Sequence, residues 1–211
     1  HNESLKRNIP VFHPINFNDK NDKDSFIKLK ADLVIVMAYG LLLPKEILEA
    51  PQYGCINIHF SLLPRWRGAA PIEHALLNGD EETGVTIFRL VNKLDSGPII
   101  SLKSLKIEND MDKNDLTLKL NKIGKKLLIN SLSNYINNQI TLINQNDNDA
   151  TYAHKIQSGN RKIDFSSSVD DVYNKVKAFS PNPSAWCVVG KENIKIIKCK
   201  KKHTESLPSI I

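Results

Sequence analysis

The chain has 211 residues, 41% hydrophobic and 25% charged, enough for one ordinary core and part of a second. No apolar run approaches the ~20 residues that cross a bilayer, and three scattered cysteines (Cys55, Cys187, Cys199) exclude a disulfide framework and a Cys-x-x-Cys metal site. The formal charge of +6 suits a nucleic-acid partner and a solvated, lysine-rich surface about equally. A reducing cytoplasm is the simplest compartment. The opening HNESLKRNIP lacks the apolar stretch of a secretory signal and reads as the middle of a helix, so a piece of a longer protein is expected.

In chain order, Val11–Phe12 reads as a short strand and Ser25 to Lys30 as a helix. Leu33 to Met37 is continuously apolar, the pattern of a parallel strand covered on both faces. Pro44 opens a short helix to Ala50, and CINIHF, Cys55 to Phe60, is the next strand. A helix from Ala70 to Leu77 follows, then the strand GVTIFRLV, the loop NKLDSGP and a short strand over Ile99 to Ser101. Strands alternating with helices predict an α/β unit with a mostly parallel sheet. Leu116, Leu120, Ile123, Leu127 and Leu128 place a long amphipathic helix over Asp115 to Ile136. A polar linker comes next, then a helix from Val169 to Phe179 and two short strands, Ala185–Val189 and Ile194–Lys198.

Within CINIHF, Asn57 and His59 interrupt the apolar run two residues apart. Alternation places them on one face of the strand, with Cα atoms roughly 7 Å apart, so both reach one small group. Each could instead satisfy a neighbouring backbone group; burying an unpaired polar group costs about 1–3 kcal/mol, which makes two together harder to explain by chance. Asp95, in NKLDSGP, is the best third member, although Asp before Ser-Gly is also an ordinary turn residue. Asp80, Glu81 and Glu82 fit less well, in a turn expected at the far end of the sheet. An imidazole, a carboxamide and a carboxylate suit acyl transfer without an enzyme nucleophile. On this reading Asp95 raises the His59 pKa and the imidazolium donates, with Asn57, to an oxyanion. Ser61 lacks the G-x-S-x-G setting of a nucleophile, and His59 with His74 has no metal-ligand spacing.

NIHFSLLPRWRGAAPI, from Asn57 to Ile72, together with GVTI and LDSG, resembles the N10-formyltetrahydrofolate-dependent formyltransferases. RWRGAAPI, the segments YAHK and KIDF, and SPNPSAW resemble the branch of that family that acts on methionyl-tRNA; Asn182 stands where an aromatic is usual. The resemblance extends to the final LPSII. It implies a Rossmann-like domain with flanking helices (residues 1–146), a linker (147–165) and the start of a small C-terminal β-barrel domain (166–211) that helps bind tRNA. The family's first strand, its glycine-containing loop, an adjacent basic insertion and most of the barrel are expected to be missing. It implies 10-formyltetrahydrofolate as co-substrate, no metal, initiator methionyl-tRNA as acceptor, and a cytoplasmic monomer with no protein partner and no membrane. Carried over residue by residue, Asn57, His59 and Asp95 are the catalytic trio. Ser61, Leu62, Leu63 and Pro64 line the folate site, and Ala38, Tyr39, Gly40 and Leu41 face the pterin. Arg65 and Arg67 are assigned to the tRNA acceptor end or the folate tail, and Lys198, Lys200 and Lys201 to tRNA phosphates. For these charges a structural loop and a solvated edge remain the alternatives. Two other activities stay open: the same chemistry on a small amine or water, and a non-catalytic folate- or RNA-binding remnant.

Overall fold

The computed structural model describes residues 2–40 and 42–202. The chain begins with α1 (Asn2–Lys6) and α2 (Lys20–Lys28). The second helix starts earlier than Ser25 because Asp19 caps it, accepting from the Asn21 and Asp22 N–H groups at 2.7 and 3.4 Å. Val11–Phe12 forms no strand. β1 (Val34–Val36) is followed by α3 (Lys45–Glu49), whose crossover returns the chain so that β2 (Cys55–His59) lies parallel to β1, with Val36 opposite Asn57. The double cover expected for β1 is not found: Ile35 and Met37 are 46% and 47% exposed, at the edge of the sheet.

The remaining strands correct the expected parallel sheet. After the two-residue β3 (Arg67–Gly68) and α4 (Pro71–Leu77), β4 (Glu82–Arg89) pairs antiparallel with β2, His59 lying opposite Thr86. Seven helical residues span only roughly 10 Å, too little to carry the chain back along the sheet. β4 therefore starts beyond His59 and runs back past it. A loop then reverses the chain into β5 (Ile99–Lys106), eight residues long and antiparallel to β4. The sheet, in order β1-β2-β4-β5, is mixed, with only the first pair parallel.

α5 (Lys113–Ile136) covers one face, started by a reciprocal cap between Asp112 and Asp115. Its Leu127, Leu128 and Leu132 pack on Ile56, Ile87 and Ile100. Gly124 allows the close approach, since a Cβ there would lie 3.2 Å from Ile58 Cγ2. The stretch expected to be a polar linker contains β6 (Tyr152–Ala153), which pairs parallel with β3.

Next come α6 (Val169–Phe179) and the antiparallel hairpin of β7 (Ala185–Val189) and β8 (Glu192–Ile196). Among the described residues no sheet closes, so the expected start of a β-barrel is corrected to a helix and a two-stranded hairpin. The physical reason is packing: Val176, Ala178, Phe179, Ala185 and Cys187 share one core with Ile72, Leu76, Val85, Leu116 and Leu120 of the preceding unit. No helix among the described residues is long and apolar enough to cross a membrane.

Candidate active site

Along β2, the Ile56 and Ile58 side lies against the α5 side of the sheet, which leaves Asn57 and His59 on the other face. His59 is buried, its ring perpendicular to that of Phe88 with the ring centres 6.3 Å apart. Its Nε2 lies 2.8 Å from the Trp66 carbonyl oxygen, which can only accept, so Nε2 carries the proton. Trp66 is held in a left-handed backbone conformation (φ +60°) from two sides. Its N–H donates to Thr151 Oγ1 at 2.9 Å, and its indole N–H donates to Asp80 Oδ2 at 2.8 Å.

Asp80 also takes two bonds from the Arg65 guanidinium, at 2.9 and 2.6 Å, and that guanidinium stacks 4.5 Å above the indole. Burial pushes the Asp80 carboxyl up, but hydrogen bonds from Arg65, Trp66 and Asn78 outweigh it and hold the carboxyl below its ordinary range. Asp80 thus belongs beside the site, because β4 begins where β2 ends. The sequence placed it at the far end only by assuming parallel strands.

Asp95 reaches His59 for a different reason from the one the pattern suggested. Its strand ends away from His59, and the loop after it doubles back. The buried Asp95 Oδ2 accepts from the Gly68 N–H at 2.8 Å and lies 3.9 Å from His59 Nδ1. Gly68 makes this possible: at φ +121° it also sits against β6, where an added Cβ would lie 2.6 Å from the Ala153 carbonyl oxygen. Gly68→Ala is therefore expected to destabilise the protein by about 2 kcal/mol or more, read as a lower midpoint in urea. An unchanged midpoint would contradict the tight β3–β6 approach.

The expected imidazolium is a second correction. Burial lowers the His59 pKa below the ordinary 6.5, and the opposing pulls of the Asp95 carboxylate and the Trp66 carbonyl do not restore it. At neutral pH His59 is a neutral ring, protonated on Nε2 and with a free lone pair on Nδ1 beside Asp95. Among the described residues Asn57 Oδ1 is buried with no hydrogen-bond partner, a cost of about 1–3 kcal/mol until a donor reaches it. The arrangement therefore offers an unsatisfied amide, a base and a fixed negative charge within one small region.

The other singled-out residues divide by exposure. Ser61 is buried and donates to the Arg65 carbonyl at 2.6 Å, bracing the loop from within. Leu63 is buried against Phe88 and Ile99, and its N–H donates to Thr86 Oγ1 at 3.1 Å; Leu62 and Pro64 are half-buried. Ala38, Tyr39 and Gly40 are exposed, Ala38 at φ +52° and Tyr39 against the Phe17 ring. Leu41 lies outside the described residues. Lys198, Lys200 and Lys201 are exposed, and Lys201 pairs with Asp170.

Arg67 is placed differently from its expected contact with tRNA or the folate tail. It is 0% exposed, bonded to Gln145 and Asp147, and works inside the protein. Thr151 and Gln145 were missed because they lie in the polar linker, where nothing in the pattern distinguishes them. Among the described residues no group of three His, Cys, Asp or Glu side chains is placed to hold a metal.

Comparison with known proteins gives this geometry a context. The pattern described as "Formyl transferase" matches residues 5–132, and "Formyl transferase, C-terminal domain" matches residues 155–210. The methionyl-tRNA formyltransferase of Brucella melitensis is 44% identical over 187 residues, covering 89% of this chain but 61% of that protein. The chain thus spans about three-fifths of the curated relatives it matches. Among solved structures, a 4-N formyltransferase from Francisella tularensis has a TM-score of 0.78 at 21% identity, covering 96% of this chain and 82% of that one. The N-formyltransferase of Helicobacter canadensis, solved with folinic acid and dTDP-3-aminofucose, has a TM-score of 0.74 at 22% identity, covering 93% and 68%. At these identities the likeness to the solved structures is one of fold.

Proposed function

This chain belongs to the formyl transferase family, and we propose that the protein transfers the formyl group of 10-formyltetrahydrofolate to the α-amino group of initiator methionyl-tRNA. The observation that carries the chemistry is the buried, unpartnered Asn57 Oδ1 on the same strand face as the neutral His59 and its Asp95 partner. The acceptor is supported by the 44% identity to a protein of that name, against about half as much to the sugar-acting proteins. Folate as donor is supported by the folinic acid bound to the Helicobacter relative.

The residues present fit a formyl group. When bound, 10-formyltetrahydrofolate supplies an activated formyl carbon. Asn57 has a donor end and an acceptor end. Its N–H groups hold the formyl oxygen where negative charge develops, and Oδ1 receives an N–H of the incoming amine. His59 Nδ1 takes the proton that the amine loses and gives it to the folate nitrogen as the bond from that nitrogen to the formyl carbon breaks and tetrahydrofolate leaves. The resulting imidazolium is held on both sides, by the Trp66 carbonyl at 2.8 Å and the Asp95 carboxylate at 3.9 Å. Burial keeps His59 neutral at rest, and these two partners stabilise its charge only once the proton arrives. Leu62, Pro64, Tyr39 and Gly40 border the folate, while Arg65, Lys198 and Lys200 meet tRNA phosphates in a cytoplasmic, monomeric enzyme.

The test offers the protein labelled 10-formyltetrahydrofolate with methionyl-tRNA, with an amino-sugar nucleotide, or with neither. Label in the tRNA alone is the expected result. Label in the sugar, or release of formate without an acceptor, would overturn the tRNA assignment and leave the formyl chemistry standing.

A further inference from the structure

Gln145 ties the polar linker to the catalytic loops by three separate attachments. Its Nε2 donates to the Asp95 carbonyl at 2.9 Å and to the Gly97 carbonyl at 2.7 Å. Its Oε1 accepts from Arg67 Nε at 3.0 Å and Nη2 at 2.8 Å. Arg67 is in turn fixed by Asp147 Oδ1 at 2.8 Å, and the second oxygen of Asp147 pairs with Lys93 at the start of the Asp95 loop. One carboxamide thus uses both ends to join β3, which supplies the Gly68 N–H for Asp95, to the loop that carries Asp95.

Asp95 needs such support. Its backbone lies at φ +43°, a conformation that costs a non-glycine residue free energy and persists only when its surroundings hold it there. Its carboxylate is anchored by the Gly68 N–H and its carbonyl by Gln145, so the two ends of the residue are gripped by neighbouring elements. We propose that Gln145, braced by the enclosed Arg67, is a positioning residue that sets the distance between Asp95 and His59, so that the linker is a working part of the catalytic centre. The proposal rests on reading His59 and Asp95 as the catalytic pair. Gln145 makes no side-chain hydrogen bond to His59, and its effect runs through the Asp95 backbone.

Gln145→Glu is the discriminating variant. It keeps the length and the acceptor for Arg67 and replaces the donor with an oxygen facing two carbonyl oxygens, which pushes the Asp95 loop away. Two readouts are taken on the purified protein: kcat and KM for formyl transfer, and the titration of the His59 ring by 15N NMR in wild type, Gln145→Glu and Asp95→Asn. Asp95 is the charged group acting on His59 and raises its pKa, so moving Asp95 away lowers the pKa further. The expected result is a kcat reduced about tenfold to a hundredfold, a KM for the folate within about twofold, and a His59 titration displaced towards that of Asp95→Asn.

A folded Gln145→Glu protein whose kcat and ring titration match wild type would overturn the proposal. Gln145→Met, of similar length and without charge, serves if Gln145→Glu does not fold, with the same expected and contrary results. The ring titration needs no turnover. If wild type transfers no formyl group, the functional reading fails while the titration still decides the role of Gln145.

Discussion

His59→Ala is expected to lower kcat for formyl transfer by about a hundredfold to ten-thousandfold, with a smaller change in KM. The substitution removes the proposed base for the amine proton and the ring that lies beside Asp95 and the Trp66 carbonyl. It also leaves the Trp66 carbonyl without its hydrogen bond, which is expected to cost about 1–3 kcal/mol of stability. Rates are therefore compared on protein shown to be folded by near-UV circular dichroism. Asn57→Ala is expected to act in the same direction; its side-chain oxygen has no hydrogen-bond partner among the described residues, so the fold should be nearly unaffected. A His59→Ala protein that turns over within a fewfold of wild type would remove His59 from the chemistry.

The largest expected effect on stability lies at Arg67. Arg67→Ala takes away a fully enclosed guanidinium, opens a cavity and strips Gln145 Oε1 of both its donors. Gln145 is half-buried and Asp147 exposed, so the cost is chiefly that of truncating an enclosed long side chain to Ala, typically about 2–5 kcal/mol, and a loss in that range is expected in urea or thermal unfolding. Arg67→Lys should recover only part of it. A lysine keeps the charge, but its ammonium cannot present the planar fork that meets Gln145 and Asp147 together. An Arg67→Ala protein less than about 1 kcal/mol below wild type would mean that the site's inner frame does not depend on this side chain.

The contrast between Arg65 and Arg67 shows where the sequence was legible and where it was not. Both flank Trp66 in a loop, and nothing local tells which faces inward. The partners that bond the Arg67 guanidinium, Gln145 and Asp147, lie 78 and 80 residues further along the chain. Local periodicity worked where an element's own residues decide it. α6 and β7 have the limits expected from the sequence, and α5 needed only its Asp112 cap to move its start to Lys113.

Strand direction failed because it depends on how long a connection is and where it leads. A parallel sheet needs a connection long enough to carry the chain back, and the seven residues of α4 only turn it. The alternation rule placed Asn57 and His59 on one face, but it did not reveal that burial outweighs Asp95 in setting the charge of His59. That balance depends on the Phe88 ring, the Trp66 carbonyl and the loops folded over the strand.

The neutral His59 is the centre of the proposed mechanism, and 15N NMR of its ring in the wild-type protein tests it most directly. A ring that titrates below pH 6.5 and carries its proton on Nε2 at neutral pH is the expected result. A ring still charged at pH 7, or protonated on Nδ1 when neutral, would contradict the proton-accepting role and return His59 to that of a donor.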